Sequence, residues 1–332
     1  MNEEDWGVNV NKPIKINNKV GDSMLEKIKA SCNYVTASSR YVSINYKKLD
    51  EYIKTIDCKK IKFWLSSNPY NLFDMEIDKI INFMLLFDSI DYCFWGQPKW
   101  TIETIEGKKD GSDALLYALL NYAKNLDNID FTNVSFEEFS NILKGNVEIP
   151  FLRERYNTVV SICNVVNERM NVNFYNYIKE INNDTELFNI IISNFSDFCD
   201  EREYDSEKIY FYKLAQLLTS DILHIKELIN GTKVDYSHLV GCADYKIPQT
   251  LRALGILEFN TELSEIVDNK QLICENSKYE VEIRANMIAV ISYINSKLEN
   301  SCSIDINDYL FLSSKSVKDI AKPYHLCRNK NY

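Results

Sequence analysis

Glycine and proline are scarce in this chain, at 9 and 6 among 332 residues. They supply the positive and the restricted φ angles that tight turns need. A many-stranded β fold, with a turn about every ten residues, would lack its punctuation. Apolar periodicity points the same way. Phe73–Ile90 sets Ile77, Ile80, Ile81, Met84 and Leu85 at helical spacing, and Ser112–Ala123 is apolar nearly all round, as a central helix should be. With 45% hydrophobic residues the chain can bury a sizeable core. The predicted fold is mainly α.

The remaining segments fill in that picture. Helices are expected over Ser23–Asn33, Tyr46–Ile56, Pro150–Met170, Glu207–Leu223 and Tyr279–Leu298, with another from about Thr185. Ser135 and Glu138 have the spacing of a capping box. The one convincing β signal is a small hairpin, with strands Tyr92–Trp95 and Trp100–Ile105 flanking a Gly96-Gln97-Pro98 turn. Residues 1–22 are polar and expected to be loosely held, apart from Trp6, and residues 23–332 form a single helical domain.

Charge and cysteine usage exclude several classes. A net charge of −10 argues against wrapping a phosphate backbone, so no direct contact with nucleic acid is expected. Nine cysteines occur singly, without a C-x-x-C pair, and three histidines offer no zinc-ligand spacing. The acidic N-terminus does not resemble a signal peptide, and no run of about eighteen apolar residues could span a membrane. A reduced, cytoplasmic, monomeric protein without a metal is expected.

The chemistry concentrates in Gly241–Leu257. Asp244 sits between apolar neighbours just before a helix that Pro248 can open and Gly255 can close. An acid there is either a structural cap or a reagent. In Glu207–Leu223 the apolar stripe Phe211, Leu214, Ala215, Leu218, Ile222 runs beside a polar stripe of Lys213, Gln216 and Ser220. That second stripe either faces water or lines an internal cleft. Phe94, Trp95 and Trp100 either stack a planar base or close the core. Arg153 and Arg155 oppose a helix dipole near its N-terminus, so they are held by an acid or an anion, or are solvated.

Five segments, in order, resemble the queuosine 5′-phosphate N-glycosylases of the queuosine salvage family. They are Tyr92-Cys-Phe-Trp with the following Lys-Trp, Phe211-Tyr-Lys-Leu-Ala-Gln216, Ala243-Asp-Tyr-Lys-Ile-Pro-Gln249, Glu282-Ile-Arg-Ala285 and Pro323-Tyr-His325. The family commonly has Lys-Arg-Ala-Gln where this chain has Lys213-Leu-Ala-Gln, and more arginine after His325. The resemblance implies a helical core like that of helix–hairpin–helix DNA glycosylases. It also implies cofactor-free release of queuine from ribose 5-phosphate, with Asp244 and Lys213 at the reacting carbon. Base binding would then fall to Phe94, Trp95 or Trp100, with Tyr245 also among the substrate-binding residues; Lys246, Arg155, Arg284 and His325, the basic residues near these motifs, are either 5′-phosphate partners or structural ion-pair partners. A nucleic-acid glycosylase and a non-catalytic nucleotide-binding scaffold are the competing readings.

Overall fold

The computed structural model describes residues 22–124, 126 and 129–332, so the expected loose segment and Trp6 lie, but for Asp22, outside the described residues. Ser23 opens α1 (Met24–Ser38) with a reciprocal capping box to Glu26. The chain continues through β1 (Val42–Ile44), α2 (Tyr46–Ile53), α3 (Ile77–Ser89), β2 (Thr101–Thr104), β3 (Gly107–Asp110), α4 (Gly111–Ala123) and α5 (Phe136–Ile142). Next come α6 (Leu152–Arg169), α7 (Phe174–Ile178), α8 (Asp184–Asn194), β4 (Glu201–Tyr204), β5 (Glu207–Tyr210) and α9 (Lys213–Asn230). The last elements are α10 (Lys246–Ala253), β6 (Leu257–Phe259), α11 (Thr261–Asp268), β7 (Leu272–Ile273), α12 (Lys278–Lys297), α13 (Ser303–Ser313) and β8 (Leu326–Cys327).

Two helices carry the interior. In α9 every residue from Lys213 to Lys226 is buried, and it packs on α3 and α8. In α12 burial is unbroken from Glu280 to Ile288, with α1, α10 and α13 against it. A helix buried on all sides must pair its polar side chains internally. Glu282 does so by accepting the N–H groups of Arg40, Tyr41 and Val42 and the hydroxyl of Tyr204, which turns the chain after α1. Among the described residues the strands form two-stranded pairs: β1–β6, β2–β3 and β4–β5 antiparallel, β7–β8 parallel. The molecule is mainly α-helical with small β-hairpins.

Two expectations need correction. The aromatic hairpin lies later in the chain: β2 pairs with β3 across Ile105-Glu106, and Tyr92–Trp95 is not a strand. Arg155 accounts for this, because its guanidinium takes the carbonyls of Ile90, Tyr92 and Cys93, while Cys93 itself has φ of 43°. That backbone cannot also join a ladder. The second correction concerns Glu207–Leu223, whose first four residues are strand β5, so the helix begins at Lys213. Asp205 and Ser206 both have positive φ, the geometry of a two-residue hairpin turn joining β4 to β5.

Candidate active site

Asp244 ends a buried irregular stretch, Leu239–Ala243. A buried loop survives only if its backbone polar groups find partners. Gln216 on α9 supplies most of them, accepting from the N–H groups of Val240 and Gly241 and donating to the Gly241 carbonyl. Asn307 on α13 accepts the Cys242 N–H, and Arg284 on α12 donates to the Ala243 carbonyl. Gly241 is required here: its φ is 127°, and a Cβ would meet the Ile291 methyl at 3.0 Å. Three helices thus hold the backbone that delivers Asp244 to the N-terminus of α10.

At that point Oδ1 of Asp244 accepts the N–H groups of Lys246 and Ile247, both at 3.0 Å. The other oxygen makes no hydrogen bond among the described residues and remains available. Burial pushes the carboxyl above its ordinary value, against the Ile247 N–H and the charges of Lys213 and Lys246, which pull it down. Asp244 is therefore a cap and an available carboxylate at once.

Lys213 is the first residue of α9, where a cation opposes the helix dipole. Two acids compensate. Its Nζ donates to the Asp91 carboxylate at 3.0 Å and the Asp91 carbonyl at 2.8 Å, and its backbone N–H reaches Asp200 at 3.4 Å. Burial works against the ammonium, but Asp91, with Asp244 contributing, outweighs it and raises the pKa. Lys213, Gln216 and Ser220 are all buried, so the polar stripe faces inward rather than toward water.

The other candidates separate into two sets. Arg155 is fully buried, bound to backbone carbonyls including that of Pro150 and stacked between Tyr92 and Phe94, so it is a strut rather than an anion site. Arg284 is likewise committed, to Asp200, Glu280 and Ala243. His325 is buried with Nε2 unpartnered; burial, reinforced by Arg284, lowers its pKa to about 3, so it is neutral and offers a phosphate no charge. Arg153 stacks on Phe136 and forms no salt bridge among the described residues. Trp100 donates its indole N–H to the Leu143 carbonyl and stacks with Phe94, both buried in the core. Trp95 has Arg328 over its ring. Tyr245 packs on Tyr324, over which Lys246 also lies. Lys246 forms no salt bridge among the described residues, and burial, then Lys99, lowers its pKa.

Sequence reasoning missed a set of buried acids beside Lys213. Asp88 has both oxygens unpartnered, and burial, then Asp221 and Asp91, pushes its carboxyl well up. Asp221 accepts the Trp64 indole N–H and is raised by burial and Asp308, and Asp308, which accepts the Trp64 backbone N–H, is raised by burial to about 6. A charged residue within an apolar stripe, as Asp221 is between Leu218 and Ile222, was the available signal. Among the described residues Asp184, Asp235 and His238 place potential metal-ligand atoms within 4.8 Å of one another. Asp184 already accepts the N–H groups of His238 and Leu239, a clasp on the loop leading to Asp244.

Residues 71–332, which include every one of these side chains except Trp64 and the Glu282-bound turn, match the family model described as queuosine salvage protein. The chain belongs to that family. Among its relatives, a Sphaerobacter thermophilus protein is 32% identical over 219 residues, covering 64% of this chain and 67% of that one. A Dictyostelium discoideum relative is 24% identical over 91% of this chain and 97% of its own length. A Mus musculus relative is 26% identical over 84% and 89%. All three carry the name queuosine 5′-phosphate N-glycosylase/hydrolase. The queuosine salvage match takes in all five sequence segments that carried the resemblance.

Proposed function

We propose that this protein hydrolyses the N-glycosidic bond of queuosine 5′-phosphate, releasing queuine and ribose 5-phosphate, with Asp244 and Lys213 at the reacting carbon. The observation that carries the mechanism is the state of Asp244: one oxygen is held by the N-terminus of α10, the other is available, and Lys213 is close enough to affect its ionisation. Cleavage builds positive charge on C1′ and the ring oxygen, and a fixed carboxylate favours that state over the neutral ground state. At about 4 Å and an effective dielectric of about 20 the attraction is on the order of 4 kcal/mol, or about a thousandfold in rate.

The protein's own groups set the conditions for this. Lys213, locked to Asp91, helps keep Asp244 ionised, and the two α10 N–H groups orient it. A 7-deazapurine lacks the N7 that purines use to accept a proton, so stabilising the sugar cation carries more of the reaction. Trp95 and Tyr245 are the proposed walls against the base, and Lys246, free of a salt bridge among the described residues, is the proposed 5′-phosphate partner. We further infer one cytoplasmic, monomeric domain over residues 23–332, with a core of the helix–hairpin–helix glycosylase kind and no cofactor. The nine free cysteines support the reducing compartment. No helix among the described residues is long and apolar enough to cross a membrane.

The test is to incubate purified protein with queuosine 5′-phosphate and follow free queuine. Release of queuine by wild type, and release at least about a hundredfold slower by Asp244→Asn, is the expected result. No release by folded wild-type protein would sink the reading.

A further inference from the structure

One buried ion pair touches both halves of the proposed reacting pair. Asp200, the residue before β4, accepts from both terminal nitrogens of Arg284 and from the backbone N–H of Lys213. The Asp200 carbonyl also accepts the N–H groups of Phe211 and Tyr212, the two residues leading into α9. On the other side Nε of Arg284 donates to the carbonyl of Ala243 at 3.0 Å, one residue before Asp244. The guanidinium lies between the rings of Phe211 and Tyr332, 4.0 and 4.2 Å from their centroids, so it has no room to swing. Glu280 and Arg202 complete the network, with Arg202 binding both Asp200 and Glu280.

We infer that the Asp200–Arg284 pair is a positioning device that sets the distance between Lys213 and Asp244, and so acts on turnover without touching substrate. This rests on the reading of Asp244 and Lys213 as the reacting pair. The two residues come from separate elements, the start of α9 and the loop before α10, and no described hydrogen bond joins their side chains. Their relative placement therefore depends on what clamps both backbones. Gln216 and Asn307 hold the loop upstream, at Val240–Cys242. The Arg284 bond to Ala243 is the clamp nearest Asp244, and its ion-pair partner is the residue that grips the N-terminus of α9. A displacement of about 1 Å at a reacting group costs about a hundredfold in rate, so a loosened brace reads out in kcat.

The experiment measures kcat, KM and melting temperature for Arg284→Lys, which keeps the charge but cannot satisfy Asp200 and Ala243 together. The double variant Asp200→Asn/Arg284→Gln, which preserves net charge, is measured beside it, with Asp244→Asn in parallel. The expected result in folded protein is a kcat at least tenfold lower with KM within about threefold of wild type. The acid limb of the kcat profile should also move to higher pH. That shift follows because Asp244, once loosened from Lys213 and the α10 N–H groups, loses the groups that hold its pKa down. Wild-type kcat and pH profile in either folded variant would overturn the inference. So would failure of both variants to fold, which would make the pair a requirement of folding alone. If Asp244→Asn keeps wild-type turnover, the assignment of the site itself fails; if only that variant is inactive, the site stands and the brace does not.

Discussion

Asp244 serves two roles that a single substitution can separate. Asp244→Asn retains an oxygen to accept the Lys246 and Ile247 N–H groups but removes the charge. A reacting carboxylate predicts a kcat at least about a hundredfold lower, the scale seen when one electrostatic stabiliser is lost. KM should change far less, and the melting temperature should hold or rise as the burial cost of the charge disappears. A merely structural acid predicts the reverse, a loss of roughly 0.5–2 kcal/mol in stability with turnover intact. The pH dependence follows from the same residue. Burial raises its pKa, and the ionised form is the active one, so kcat should fall on the acid side at a pH above the ordinary carboxylate value of about 4. A kcat that stays flat below that value would contradict it. Lys246 yields a third test: Lys246→Met should raise KM for the 5′-phosphate about tenfold, the equivalent of about 1.4 kcal/mol, and leave the bare nucleoside unaffected. Equal effects on both substrates would remove Lys246 from the phosphate site. Arg155 and Arg284 looked equivalent to Lys246 in sequence; nothing local told that their donors were already occupied.

The elements show how local signals succeed and fail. The capping boxes at Ser23 and Ser135 and the glycine ending α10 depend on neighbours within a few residues. The β2–β3 hairpin depends on distant ones. Beyond its own pairing, β2 is held by Asn146, whose side chain accepts the Thr101 N–H and whose backbone N–H donates to the Thr101 carbonyl. Gly145 makes this approach possible: a Cβ there would lie 2.5 Å from the Thr101 carbonyl oxygen and 2.6 Å from the Trp100 indole nitrogen. Gly145→Ala should therefore cost roughly 1–3 kcal/mol, measured by urea unfolding, because backbone cannot yield as a flexible side chain would. An unchanged midpoint would mean that the two segments separate freely. The strand expected at Tyr92–Trp95 failed for the related reason that Arg155, far along the chain, takes its carbonyls.

At the scale of the molecule, the interior carries more acid than its cations offset. Asp88, Asp221 and Asp308 all have raised pKa values, each chiefly through burial. For Asp308 the rise is from 3.8 to about 6. A carboxyl so shifted binds its proton more tightly when folded, so its stabilisation is complete below about pH 4 and is lost as pH climbs through about 6. The loss for this one group is about 3 kcal/mol. Asp308→Asn should consequently gain melting temperature relative to wild type between pH 4.5 and pH 7.5 in ligand-free protein. A difference independent of pH would show that the carboxyl ionises freely in the fold. From the sequence alone came the mainly helical class, the placement of Asp244 at the entrance of a helix, and the existence of a polar stripe of Lys213, Gln216 and Ser220, whose inward direction the packing of α9 decided. Each is a matter of spacing along a helix of 3.6 residues per turn or of residues adjacent in the chain. Tertiary structure alone decided which basic groups remain free, which acids surround Lys213, and what clamps Asp244. Those outcomes depend on hydrogen bonds such as Arg155 to Ile90 or Arg284 to Asp200, spanning 65 and 84 residues. A buried donor takes whichever acceptor packing brings near, and no periodicity within the chain encodes that partner.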